Sequence, residues 1–209
     1  MPMKYLILLL LIACSTTSKK YPSHWWKPVS KKQIRWWEIA PDFVSPDSGK
    51  VILSKRNELG LLSNFADTPF VYDGIKYKTV EGLWQSMKFP ESANDKRYGR
   101  TKLKYTRVQV SQMRGFAAKK AGDYATELMK KYKIKWVSFK GKKMVYRTQK
   151  KGAHYNLIRS VMKAKLAQNP KVKKVLSSTG DLTLLADHTT NPLDPPAWKY
   201  YKIWMELRD

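Results

Sequence analysis

A mainly α-helical single domain with small β-hairpins, an α+β arrangement, is the fold this chain should take. In residues 154–168 the apolar positions Leu157, Ile158, Val161, Met162 and Leu166, with the stem of Lys165, recur every three or four residues and form one core-facing stripe. In residues 70–77 two short runs meet at Asp73-Gly74, a pair that accepts the positive backbone angles of a tight hairpin turn. The 209 residues, with the ends trimmed, suit one domain around one good core.

The N-terminus is set apart from that domain. Lys4 leads into an apolar run over residues 5–12 that is too short to span a bilayer, and residues 1–13 read as a signal peptide. Leu11-Ile12-Ala13-Cys14 resembles the bacterial lipoprotein cleavage signal. That resemblance implies cleavage before Cys14, acylation of its thiol, and several acyl chains holding an exported lipoprotein to a membrane. Ser15 stands where aspartate would retain the protein at the inner membrane, so the outer membrane, on its periplasmic or surface face, is the implied location. A free thiol after an ordinary start is the other reading of Cys14. As the one cysteine, it forms no disulfide within the chain.

Residues 14–49 read as a Trp/Lys-rich tether. Prolines at 22, 28, 41 and 46 argue against long helices, and two pairs, Trp25-Trp26 and Trp36-Trp37, sit among lysines and arginines. Such pairs suit a membrane interface, or they dock on the domain as an arm. The domain proper, residues 50–209, starts near Val51. After the hairpin, Thr79 caps a helix beginning at Val80, with Glu81 in its first turn where the helix dipole favours a carboxylate. Further helices are expected over residues 108–121, 124–132, 154–168 and 170–177. Residues 136–147 alternate, and Lys140-Gly141-Lys142 turns a second, strongly basic hairpin. No internal repeat is visible.

Lysine and arginine total 41 against 16 acidic residues, a formal charge of +25. The excess attracts polyanions such as nucleic acid, nucleotides or anionic lipid, without choosing among them. No phosphate-cradling Gly-rich loop, zinc-ligand spacing or Gly-x-Ser-x-Gly elbow occurs, so metal-dependent and acyl-transfer chemistry lose weight and no metal or cofactor is expected.

Glu81, Gln85 and Lys88 fall at steps of four and three, on one helical stripe with Trp84 beside them. An acid and an amine two turns apart, about 10 Å along the axis, bracket a sugar ring; an ordinary solvated face is the alternative. Around them stand Leu62-Ser63-Asn64-Phe65, Asp73-Gly74, Tyr77 and Lys88-Phe89. Further on come Val161-Met162-Lys163-Ala164-Lys165-Leu166, Asp187-His188-Thr189 and Trp204-Met205-Glu206-Leu207-Arg208. Together, and in this order, these motifs resemble the NADAR, or YbiA-like, family across about residues 51–209.

The resemblance implies a YbiA-like fold and an N-glycosidase. Members cleave the bond between ribose C1 and an amine in phosphoribosylamino intermediates, or remove ADP-ribose from guanine in nucleic acid. It further implies Glu81 as the acid/base carboxylate and Lys88 as part of a Gln-x-x-Lys-Phe signature. A neutral Lys88 is also able to attack C1 as a Schiff-base former. Gln85 would meet sugar hydroxyls, with Asn64 and Phe65 as another wall. Trp84 and Phe89 are core residues or stacking surfaces, and Asp187 with His188 binds substrate as an acid/base pair, or is a helix-end cap or a surface pair. Two departures stand out: Gly82 occupies the place of a common histidine, and residues 190–201 carry Pro195-Pro196 in place of flexible glycines. Cations of residues 140–143 are then candidates to replace the lost backbone amides. The alternative reading is a catalytically inactive YbiA-like module that binds nucleotides, nucleic acid or another polyanion at a membrane surface. A spacer domain carried by a membrane-binding tether is a third.

Overall fold

The structure, a computed structural model, describes residues 21–208. The signal segment, Cys14 and the start of the tether lie outside the described residues. No helix among the described residues is long and apolar enough to cross a membrane.

The two hairpins form where their turn residues permit. β2 (Phe70–Tyr72) pairs antiparallel with β3 (Ile75–Tyr77), with Asp73 and Gly74 both at positive φ. β4 (Trp136–Phe139) and β5 (Lys142–Val145) do the same around Lys140 and Gly141. α1 (Val80–Ser86) is capped by the Thr79 hydroxyl, which accepts from the Gly82 N–H at 2.9 Å. It ends earlier than its polar stripe suggests. Lys88 and Phe89 lie in a tightened turn whose N–H groups bond back three residues, to Gln85 and Ser86.

The expected break between residues 121 and 124 is instead at residues 112–114. α2 (Arg107–Ser111) starts on a capping box between Thr106 and Gln109. α3 (Gly115–Lys131) then restarts from Gly115 at a φ of 46° and runs straight through Gly122-Asp123. α4 (Ala153–Gln168) buries Ile158, Val161, Met162 and Lys165, and α5 (Pro170–Ser178) follows with proline in its first turn.

Two features were not read from the sequence. β1 (Lys50–Ile52) pairs in parallel with β6 (Thr183–Leu185), and α6 (Tyr200–Arg208) closes the chain with Trp204 fully buried. Three-residue strands carry too little periodicity to be seen locally, and their pairing spans more than a hundred residues.

The described part of the tether follows the docked-arm reading at its first tryptophan pair. Trp25 and Trp26 are buried in the main core. Their indoles donate to Glu58 Oε1 at 2.7 Å and to the Lys50 carbonyl at 3.0 Å. The second pair divides: Trp37 packs on Phe116, whereas Trp36 is 96% exposed. α1 sits against α2, α3 and α4, and that position puts its polar stripe beside a cavity.

Candidate functional site

The stripe residues of α1 are not solvated. Glu81, Gln85 and Lys88 are all buried, and with Trp84 they line one cavity of about 400 Å³. The Asn64 carbonyl accepts the Glu81 N–H at 3.0 Å, which clips the Asn64-Phe65 loop to the first turn of the helix. Behind that loop, fully buried Lys165 donates to the carbonyls of Leu61 and Ser63 at 2.8 and 2.9 Å.

Burial pushes the Glu81 carboxyl up, opposed by a 2.7 Å hydrogen bond from Gln85 Nε2 and by the charge of Lys88. Gln85 reaches that position because residue 122 is glycine. A Cβ there would lie 1.7 Å from Gln85 Oε1, so the absent side chain of α3 makes the room. Lys88 is pushed down to about 8 by burial, with Glu81 as its largest compensating charge. Its ammonium donates to Thr126 Oγ1 at 2.9 Å and to the Gly122 carbonyl at 3.2 Å, and lies 5.2 Å from the Trp84 ring centre. Carboxyl and amine are thus both moved toward neutrality by the same desolvation.

Gly82 has its own reason. A side chain there would press within 3 Å of the Met113 and Ser111 carbonyls, so the end of α2 and the turn after it occupy the space a histidine would need.

Asn64, Phe65 and His188 line the cavity, and Phe65 meets Phe116 edge-on at 5.2 Å. Trp84 is a wall residue, whereas Phe89 is fully buried in a separate apolar cluster with Val110, Ala121 and Ala125. Asp187, expected to meet substrate, does not face the cavity. The residue is 1% exposed, and its carboxylate is engaged by Lys55, by His188 Nδ1 at 3.1 Å and by the Tyr200 hydroxyl at 3.5 Å. It holds Lys55 and His188 in the rim, and those partners keep it ionised, below the usual carboxylate range despite burial.

The basic hairpin is likewise not at this site. Lys140 pairs with Asp73 at 2.6 Å, Lys143 lies over Trp136, and the Gly141 N–H donates to Glu91. The cations that do line the cavity are Lys55, Lys88, Lys119 and Arg147. Lys119 is partly neutralised by Asp123 at 2.6 Å. Lys88 was singled out by its stripe, but in a chain with 41 lysines and arginines nothing in the sequence marked Lys55, Lys119 or Arg147.

His154 was also missed, because it opens the α4 stripe and reads as a core position. It is 2% exposed, lies 4.6 Å from Trp84, and burial lowers it to about 4, so the ring is neutral near pH 7. The proline-rich loop contributes Ala197 and Trp198 to the wall. Four buried polar atoms around this cavity have no protein partner: Asn64 Oδ1, Gln85 Oε1, His154 Nε2 and Trp198 Nε1. Each such atom costs about 1–3 kcal/mol unless solvent or a ligand meets it.

No protein-family model matches this chain, and no curated protein does. Among solved structures, the NMR structure of the E. coli protein YbiA is similar. The match has 20% identity and a TM-score of 0.43, and covers 75% of this chain and 82% of that one. The mainly helical architecture with small hairpins rests on the elements described above.

Proposed function

We propose that the protein is an N-glycosidase that hydrolyses the bond between ribose C1 and an amine, in an ADP-ribosylated guanine-type or phosphoribosylamino substrate. One observation carries the reading. A carboxyl and an amine from the two ends of one short helical segment, both desolvated, line a single ring-walled hollow. The motif resemblance to the NADAR family supports it, and the rim cations suit phosphate.

Protonated Glu81 gives its proton to the glycosidic nitrogen as the C1–N bond breaks, and the amine departs neutral. The carboxylate left behind steadies the oxocarbenium ion at C1. Water then adds to C1 and returns a proton to Glu81, leaving the ADP-ribose or phosphoribose with a hydroxyl at C1. Gln85, bonded to Glu81, fixes which carboxyl oxygen faces the sugar.

A depressed Lys88 supports a second route. The furanose opens as the C1–O4 bond breaks, O4 takes the proton of the substrate N–H and C1 becomes an imine. The neutral lysine amine adds to C1, and a lysine proton passes to the substrate amine as it leaves. Water hydrolyses the resulting lysine imine to the phosphorylated sugar aldehyde, which recloses, and free lysine. The two routes differ in the sign of their pH dependence. Proton donation by Glu81 weakens as pH rises through its raised pKa, whereas attack by Lys88 strengthens as pH rises through about 8.

The test is turnover of guanosine-linked ADP-ribose in DNA and of phosphoribosylaminopyrimidines by the full chain in detergent. Glu81→Gln should reduce kcat at least a hundredfold. Borohydride trapping at Lys88 assigns the imine route. Salt-sensitive binding without turnover would leave the inactive polyanion-binding module in place of the enzyme. We propose also that the chain is exported and acylated at Cys14. Labelled palmitate should be incorporated by the wild type and not by Cys14→Ser.

A further inference from the structure

The cavity has a second half that the reaction at Glu81 does not use. Beyond Trp84, the rings of Tyr146, His154 and Trp198 continue the wall, at centre separations of 5.4 Å for Trp84 to Tyr146 and 6.4 Å for Tyr146 to Trp198. Arg147 caps this end, 5.5 Å from the Trp198 ring. Buried among these rings are two nitrogens without a protein partner. Trp198 Nε1 is always a donor, and His154 Nε2 is a donor or an acceptor according to tautomer.

An apolar ligand would leave both nitrogens unmet. A sugar hydroxyl would meet them but would gain little from three aromatic walls. A flat ring bearing its own acceptors and donors satisfies both features, because its faces stack on the rings while its edge carries the polar atoms.

We propose that the slot bounded by Trp84, Tyr146, His154 and Trp198 receives the heteroaromatic, amine-bearing half of the substrate, stacked on the rings and read by Trp198 Nε1 and His154 Nε2. His154 and Trp198 are specificity residues on this account, not catalytic ones. The inference rests on the glycosidase reading for the identity of the neighbouring sugar half. Because His154 stays neutral above about pH 4, the same recognition pattern holds throughout pH 5–8.

The probe is 2-aminopurine riboside, whose fluorescence is quenched by stacking, with ribose 5-phosphate as the ring-free control. With the full chain in detergent, the wild type should quench the riboside. Trp198→Phe, which keeps the ring and removes the N–H, and His154→Leu should each weaken its binding about tenfold. Ribose 5-phosphate binding should stay within about twofold in both variants. A second measurement needs no altered protein to bind. The indole N–H resonance of the wild type that is missing from Trp198→Phe should shift on adding the riboside and not on adding ribose 5-phosphate.

Unchanged riboside binding in both variants, or an unmoved Trp198 resonance, would overturn the slot. Those results would leave Glu81-dependent turnover standing. Loss of turnover in every assay with the riboside effects intact would overturn the glycosidase reading and keep the ring slot.

Discussion

At Glu81 and Lys88 a short helical segment places two ionisable groups where water is scarce, and the same desolvation raises one and lowers the other. The glycine opposite them is as much part of the site. Gly122→Ala would drive a methyl into Gln85, whose flexible amide must swing off Glu81. Helix propensity offsets part of the strain, so Tm should move by only a few degrees. The kcat should nonetheless fall about tenfold, and steady-state kinetics beside a thermal melt would separate the two effects. A different signature belongs to Lys165, which burial lowers from 10.5 to about 7. Between those values the unfolded chain binds the proton and the folded one does not. Its contribution is therefore fullest above pH 10.5 and is lost as pH falls toward 7. Denaturant titrations of Lys165→Met should show a stability slope smaller by about 1.4 kcal/mol per pH unit in that window. An unchanged slope would mean that the amine keeps its proton when buried.

Among the elements, the docked arm adds to the core from outside the residues 50–209 expected to form the domain. Trp25→Ala should destabilise by about 3–5 kcal/mol, because it empties a core position and removes a partner of Glu58. Trp36→Ala, at a ring 96% exposed, should change stability by less than about 0.5 kcal/mol. Chemical denaturation of the pair tests whether the arm folds with the domain. Both hairpins and α4 were legible in the sequence because their signals are local: a turn dipeptide at positive φ, and a stripe at helical spacing. The break between α2 and α3 was misplaced for a physical reason. Gly122 looks like a helix end, yet it is a clearance for Gln85, and only contact across helices distinguishes the two. The β1–β6 pair and α6 were invisible because their stabilising contacts are long-range.

For the molecule as a whole, the formal charge of +25 would draw in the anionic substrate proposed above. Activity toward phosphorylated substrates should fall steeply between low and physiological salt, chiefly through KM. Arg147→Ala should raise KM about tenfold, while Lys140→Ala, at the hairpin away from the cavity, should leave it unchanged. Chain chemistry alone determined the helical class, the hairpin turns, and the trio of Glu81, Gln85 and Lys88, since each depends on residues close in sequence. Only the tertiary structure decided that this trio is buried and not solvated. It also brought Lys55, Arg147, His154 and Trp198 to the same hollow and took Asp187 and residues 140–143 away from it. Those outcomes depend on which distant surfaces exclude water together, and sequence spacing does not encode them.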